Sequence, residues 1–187
     1  MAAKKSTKKS TKKTTAKKDN CPFMSLILAA LSLIVAAMVF LPGIVIGEDT
    51  VVGGLLATFG GEVTTTSTIL GSEITTTLGE TLFNVTAFLA FVLPLVFALV
   101  YLVVEKLDKK VGKVLVLLPT LAFIASSVLL FMGVKFFLDV NGEQTWISAA
   151  VLLESTFKLG LGYILGASVS VLGAVAGLYG CYVKLVK

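Results

Sequence analysis

The side chains able to do chemistry in this chain are few. It contains no histidine, which removes histidine-dependent triads and most catalytic zinc sites. Ser126-Ser127 lies in an apolar stretch that carries no base to activate it. Hydroxyls so placed commonly bond a backbone carbonyl one turn earlier. No carboxylate falls within any long apolar stretch, so an intramembrane aspartyl dyad has no members. The two cysteines, Cys21 and Cys181, read either as small buried thiols or as acylation sites. The expectation is a protein without catalysis, cofactor or metal.

Two other patterns could bind something. All 16 basic residues are lysines, and eight of them crowd the first 18 positions: Lys4, Lys5, Lys8, Lys9, Lys12, Lys13, Lys17 and Lys18. Next to an anionic leaflet each such lysine is worth about 1 kcal/mol, so this tail is expected to bind acidic lipid headgroups. A rival partner is nucleic acid, bound non-specifically, because no aromatic is interleaved to stack on bases. A plainer reading is that the tail only fixes topology. The second pattern is Gly162, Gly166, Ser170, Gly173, Gly177 and Gly180, which recur every three or four residues and so share one helix face. Small residues let helix backbones approach closely in lipid. The face serves either dimerisation or packing within one chain.

These patterns need elements to position them, and hydropathy supplies those elements. The chain is 56% hydrophobic and only 14% charged, with a mean hydropathy of +0.97. A bilayer core takes about 20 apolar residues of helix. Four stretches qualify, at about 23–46, 83–104, 114–134 and 159–183, and none holds an Asp, Glu, Lys or Arg. The fold class expected is an all-α membrane protein, a four-transmembrane-helix bundle over 21–187. Residues 1–20 form a lysine-rich, disordered cytoplasmic tail. The first span is too long for the apolar core of a signal peptide and reads as an uncleaved anchor.

Lysines also set orientation. Besides the tail, four lie between spans two and three and two end the chain, leaving only Lys135 and Lys158 for the opposite side. The positive-inside bias places both termini and the turn 105–113 in the cytoplasm of the plasma membrane. The outer loops are then 47–82 and 135–158. In the first, Gly-Glu-Val-Thr-Thr-Thr at 61–66 is echoed by Ser-Glu-Ile-Thr-Thr-Thr at 72–77. That pattern reads as a small β-hairpin or as a flexible threonine-rich loop. Residues 51–59 are apolar enough to pack on helix ends or to dip into the membrane interface. In the second loop, span four is expected to begin early, over 145–158. Pro94 should kink span two unless a neighbour satisfies the carbonyl it frees. The sequon Asn84-Val85-Thr86 starts at the membrane boundary, out of easy reach of a transferase.

In layout alone (cytoplasmic termini, a larger first outer loop) the chain resembles claudins, but it lacks their paired loop cysteines. It resembles more closely the small, uncharacterised four-helix membrane proteins of Gram-positive bacteria and their wall-less relatives, over 21–187. That resemblance implies a tetraspan fold and no activity. The functional expectation is an integral membrane structural or interaction protein, a scaffold. The alternative is a subunit of an oligomeric channel or transporter. Partners implied are the lipid bilayer, anionic headgroups, and either a second copy or another membrane protein.

Overall fold

The computed structural model describes residues 23–46, 50–69, 72–138, 143–147 and 157–186. The lysine-rich tail and Cys21 lie outside them. The described chain is mostly helical. Helix α1 covers Met24–Ala37 and continues into a 3-10 turn, Met38–Phe40. A short α2 follows at Gly54–Phe59. Helix α3 spans Val85–Leu107, α4 Lys109–Leu115, α5 Leu117–Met132, and α6 Leu161–Cys181, which closes in a π-turn over Tyr182–Val186. Three of these runs, Val85–Leu107, Lys110–Met132 and Leu161–Leu185, are long and apolar enough to cross a membrane.

Local chemistry sets the helix ends. Asn84 caps α3, its side chain accepting from the Ala87 N–H at 3.2 Å. The cytoplasmic turn expected over 105–113 is instead almost wholly helical, because α3 runs on to Leu107 and α4 starts at Lys109. Asp108 alone breaks the chain there, accepting from the Lys110 N–H at 2.8 Å and so capping α4. The boundary between α4 and α5 falls at Val116, beside the Leu115 carbonyl to which Pro119 has no N–H to offer. Gly133, at φ 86°, ends α5 in a conformation that favours glycine.

The strands correct the all-α expectation. The span expected over 23–46 is helical only through Phe40. Pro42-Gly43 stops it, and Pro42–Ile46 becomes strand β1. Strand β2, Thr50–Gly53, and strand β7, Phe157–Leu159, flank β1 in an antiparallel three-stranded sheet. Ile44 pairs with Val52 on one side and Leu159 on the other, and all three are buried. Strands β3, Gly61–Ile69, and β4, Ser72–Thr81, pair antiparallel so that Thr64, Thr65 and Thr66 face Thr77, Thr76 and Thr75. Strands β5, Val134–Leu138, and β6, Glu143–Ile147, form a third pair. The early start of span four is therefore not seen in its described parts: 145–147 and 157–159 are strand, and α6 begins after Gly160. Residues 148–156 lie outside the described residues.

Packing arranges the long helices as a ring. Helix α1 touches α3 and α6, while α5 touches α3 and α6. Neighbours run antiparallel: Gly180 meets Met24, and Gly162 meets the Met38 and Leu41 carbonyls at the far end of α1. Every strand joins helices at one end of this ring, and α4 closes the other. Outward faces are apolar, with Leu33, Val96, Val103, Leu121, Leu172 and Val175 all exposed. That is the pattern of helices whose outer surface meets lipid.

Candidate functional site

The interior of the ring is where the expected site residues meet. Gly162, Gly166, Ser170, Gly173, Gly177 and Gly180 are all buried on α6. A Cβ on Gly166 would lie 3.2 Å from both Leu130 and Phe91. At Gly173 it would overlap the Phe123 ring, at Gly177 the Thr120 hydroxyl, and at Gly180 it would sit 2.9 Å from Met24. The face is occupied by α1, α3 and α5 of the same chain. Glycine is needed there for space, since Phe123 fills the position a side chain would take.

A polar junction crosses the middle of this interior. Pro94 sits within α3 and leaves the Ala90 carbonyl without its usual helical donor. The Ser126 hydroxyl, from α5, donates to that oxygen at 2.6 Å. Ser126 is also 3.0 Å from the Ser170 hydroxyl of α6, and Ser170 in turn lies 2.8 Å from the Gly166 carbonyl. With the Ser126 proton on Ala90, the Ser170 proton is shared between Ser126 and Gly166. Three helices are thus tied at one point with no hydroxyl left unpaired. Ser127 bonds the Ile124 carbonyl of its own helix at 2.8 Å. Among the described residues neither serine has a base beside it. Their protons are held by acceptors.

A charged cluster closes the α4 end. Lys184, past the end of α6, pairs with the Glu105 carboxylate of α3 and donates to the Tyr101 hydroxyl at 2.5 Å. The ammonium also lies 5.1 Å from the centre of the Tyr101 ring. The two charged side chains are only 13% and 20% exposed, so the pair is partly desolvated. Glu105 Oε1 takes the lysine, whereas Oε2 is buried with no hydrogen-bond partner among the described residues. Helix α4 covers the cluster, for a Cβ on Gly112 would lie 2.9 Å from the Glu105 Cα. Cys181 is buried one turn earlier, 3.6 Å from the Thr120 hydroxyl.

At the strand end, Tyr163 is fully buried, sharing a hydrogen bond with Thr58 at 3.1 Å and packing edge-on against Phe91 at 5.4 Å. Asn84, the first residue of the sequon, is buried as a helix cap. Among the described residues no three His, Cys, Asp or Glu side chains gather as metal ligands. Two contacts had only indirect signals in the sequence. Ser126 reaching Ala90 was signalled by Pro94, which frees that carbonyl. Lys184 reaching Glu105 was signalled by opposite charges at the same end of spans two and four. No protein-family model, curated protein or solved structure matches the chain.

Proposed function

We propose that the protein is an integral membrane scaffold, crossing the plasma membrane four times with both termini in the cytoplasm and carrying out no catalysis. The observation that supports this reading is the filled axis of the helix ring. Phe91, Phe123, Leu130 and Tyr163 occupy it, and the hydroxyls of Ser126, Ser170 and Thr120 are each bonded to backbone carbonyls. Among the described residues the axis offers no polar path for an ion, and ion-coupled carriers place ionisable groups at the midplane. The orientation rests on the lysine distribution, with the ends of α3 and α6 held together by the Lys184–Glu105 pair at the lysine-rich end.

The eight lysines between Lys4 and Lys18 are the charge we propose draws the chain to anionic headgroups of the inner leaflet. Flotation on vesicles with and without acidic lipid tests it, and a tail-deleted chain should lose the extra binding that acidic lipid gives. The scaffold reading itself is tested by ion flux in proteoliposomes of the purified protein. Flux no greater than in empty liposomes is expected. Clear, selective conductance would establish the rival reading, a channel formed between copies.

A further inference from the structure

Helix α1 with its 3-10 turn, Met24–Phe40, is 17 residues long. At about 1.5 Å per residue that is roughly 25 Å, against about 30 Å for a bilayer core. Helix α3, with 23 residues, has no such shortfall. Seventeen residues is the lower end of the range that spans a bilayer, so an element packed on the end of α1 would share its depth in the membrane. The neighbour there is α2. The Gly54 N–H donates to the Leu41 carbonyl at 2.8 Å, and a Cβ on Gly54 would lie 2.5 Å from the Val39 oxygen. The backbone of α2 is thus seated directly on the end of α1, a closeness that only glycine allows.

The other face of α2 is apolar and exposed among the described residues. Leu55 and Phe59 are 41% and 50% exposed, and Leu82, Phe83 and Val85 extend the surface into α3, with Phe40 at the end of α1. Phe59, Phe83 and Phe88 form a ring cluster with centroids 5.6–6.2 Å apart. No charged residue occurs over 50–61 or 81–104. Polar groups of the segment turn inward. The Leu56 carbonyl takes the Gly60 N–H and the Thr81 hydroxyl, the Thr58 carbonyl takes the Asn84 N–H, and the Thr58 hydroxyl meets Tyr163. Backbone outside a spanning helix is tolerated at membrane depth only when satisfied in this way.

We infer that α2 is a re-entrant element: it sits within the acyl-chain region of the outer leaflet, its Leu55–Phe59 face in contact with lipid tails, completing the short crossing of α1. The occupant is lipid because this face, apart from Thr86 exposed on the first turn of α3, continues as uncharged apolar surface into the outward faces of α1 and α3. The inference rests on the membrane reading above. Its test separates the two. In a Trp146→Phe background, single tryptophans are placed by Leu55→Trp, Val96→Trp and Thr64→Trp, and the proteins are reconstituted in acyl-brominated phosphatidylcholine. Phe59→Trp is a second probe of the same face should Leu55→Trp not fold.

Val96, mid-way along α3, should be quenched best by bromines deep in the chains. Tryptophan at position 55 or 59 should be quenched best by bromines near the glycerol end, the depth of a group about 5–10 Å below the headgroups. Thr64, on the exposed strand β3, should be scarcely quenched. Quenching at Val96 with Leu55 and Phe59 no stronger than Thr64 would overturn the inference alone. Absence of quenching at Val96 would overturn the membrane reading, and this inference with it.

Discussion

Ser126 and Pro94 act on one backbone oxygen. Proline removes the helical donor to the Ala90 carbonyl, and serine from the neighbouring helix replaces it at 2.6 Å. In a membrane interior an unpaired carbonyl has no water to turn to. Ser126→Ala should therefore destabilise the protein by about 0.5–2 kcal/mol, read from denaturation in mixed micelles. The cost should shrink in a Pro94→Ala background, where the alanine N–H can bond Ala90 within α3. An equal cost in both backgrounds would mean that Ser126 matters through packing or through Ser170 instead. The Lys184–Glu105 pair yields a second prediction. Lys184→Met strands a partly buried carboxylate and should cost about 1–3 kcal/mol, between the values for surface and buried pairs. Adding Glu105→Gln should recover most of that loss, because the uncompensated charge is gone. If the double variant is as unstable as the single one, the lysine acts through its contact with Tyr101.

At the scale of elements, α6 is defined by the residues it lacks. Gly173 faces Phe123 so closely that no Cβ fits, whereas Val175 on the same helix is exposed. Gly173→Ile should cost about 2–3 kcal/mol or more through overpacking. Val175→Ile should change stability by less than about 0.5 kcal/mol. Both are read in the same thermal melts, and equal effects would contradict the placement of this face. The glycine face was legible in the sequence because its spacing is a helix period, and so were the three long apolar runs. The end of α1 was partly legible. Pro42-Gly43 marked the stop, but an uninterrupted run of apolar letters hid the change from helix to strand, since hydropathy is blind to backbone geometry. Ile44, Val45 and Ile46 are β-branched and suit the strand they form. The strands after Gly133 were missed for a related reason. Residues 145–158 hold apolar and polar letters in no decisive period, so the pairing of Glu143–Ile147 with Val134–Leu138, a tertiary contact, decides their conformation. The Lys184–Glu105 contact joins residues 79 positions apart. No local pattern encodes that distance.

At the scale of the whole molecule, charge and hydropathy act together. Lysines are concentrated on the side where α4 and both termini would lie, and the strands occupy the other end. The proposed arrangement depends on α1 crossing despite its shorter length, which in turn sets the side of the N-terminal tail. Single-cysteine labelling reads this directly. In a Cys21→Ser, Cys181→Ala background, cysteines are introduced by Ser10→Cys, Thr64→Cys and Lys110→Cys. An impermeant maleimide is then applied to intact cells and to permeabilised ones. Four crossings with cytoplasmic termini predict that only Thr64→Cys reacts in intact cells and that all three react after permeabilisation. Labelling of Ser10→Cys in intact cells would leave three crossings, and labelling of Lys110→Cys would contradict the orientation altogether.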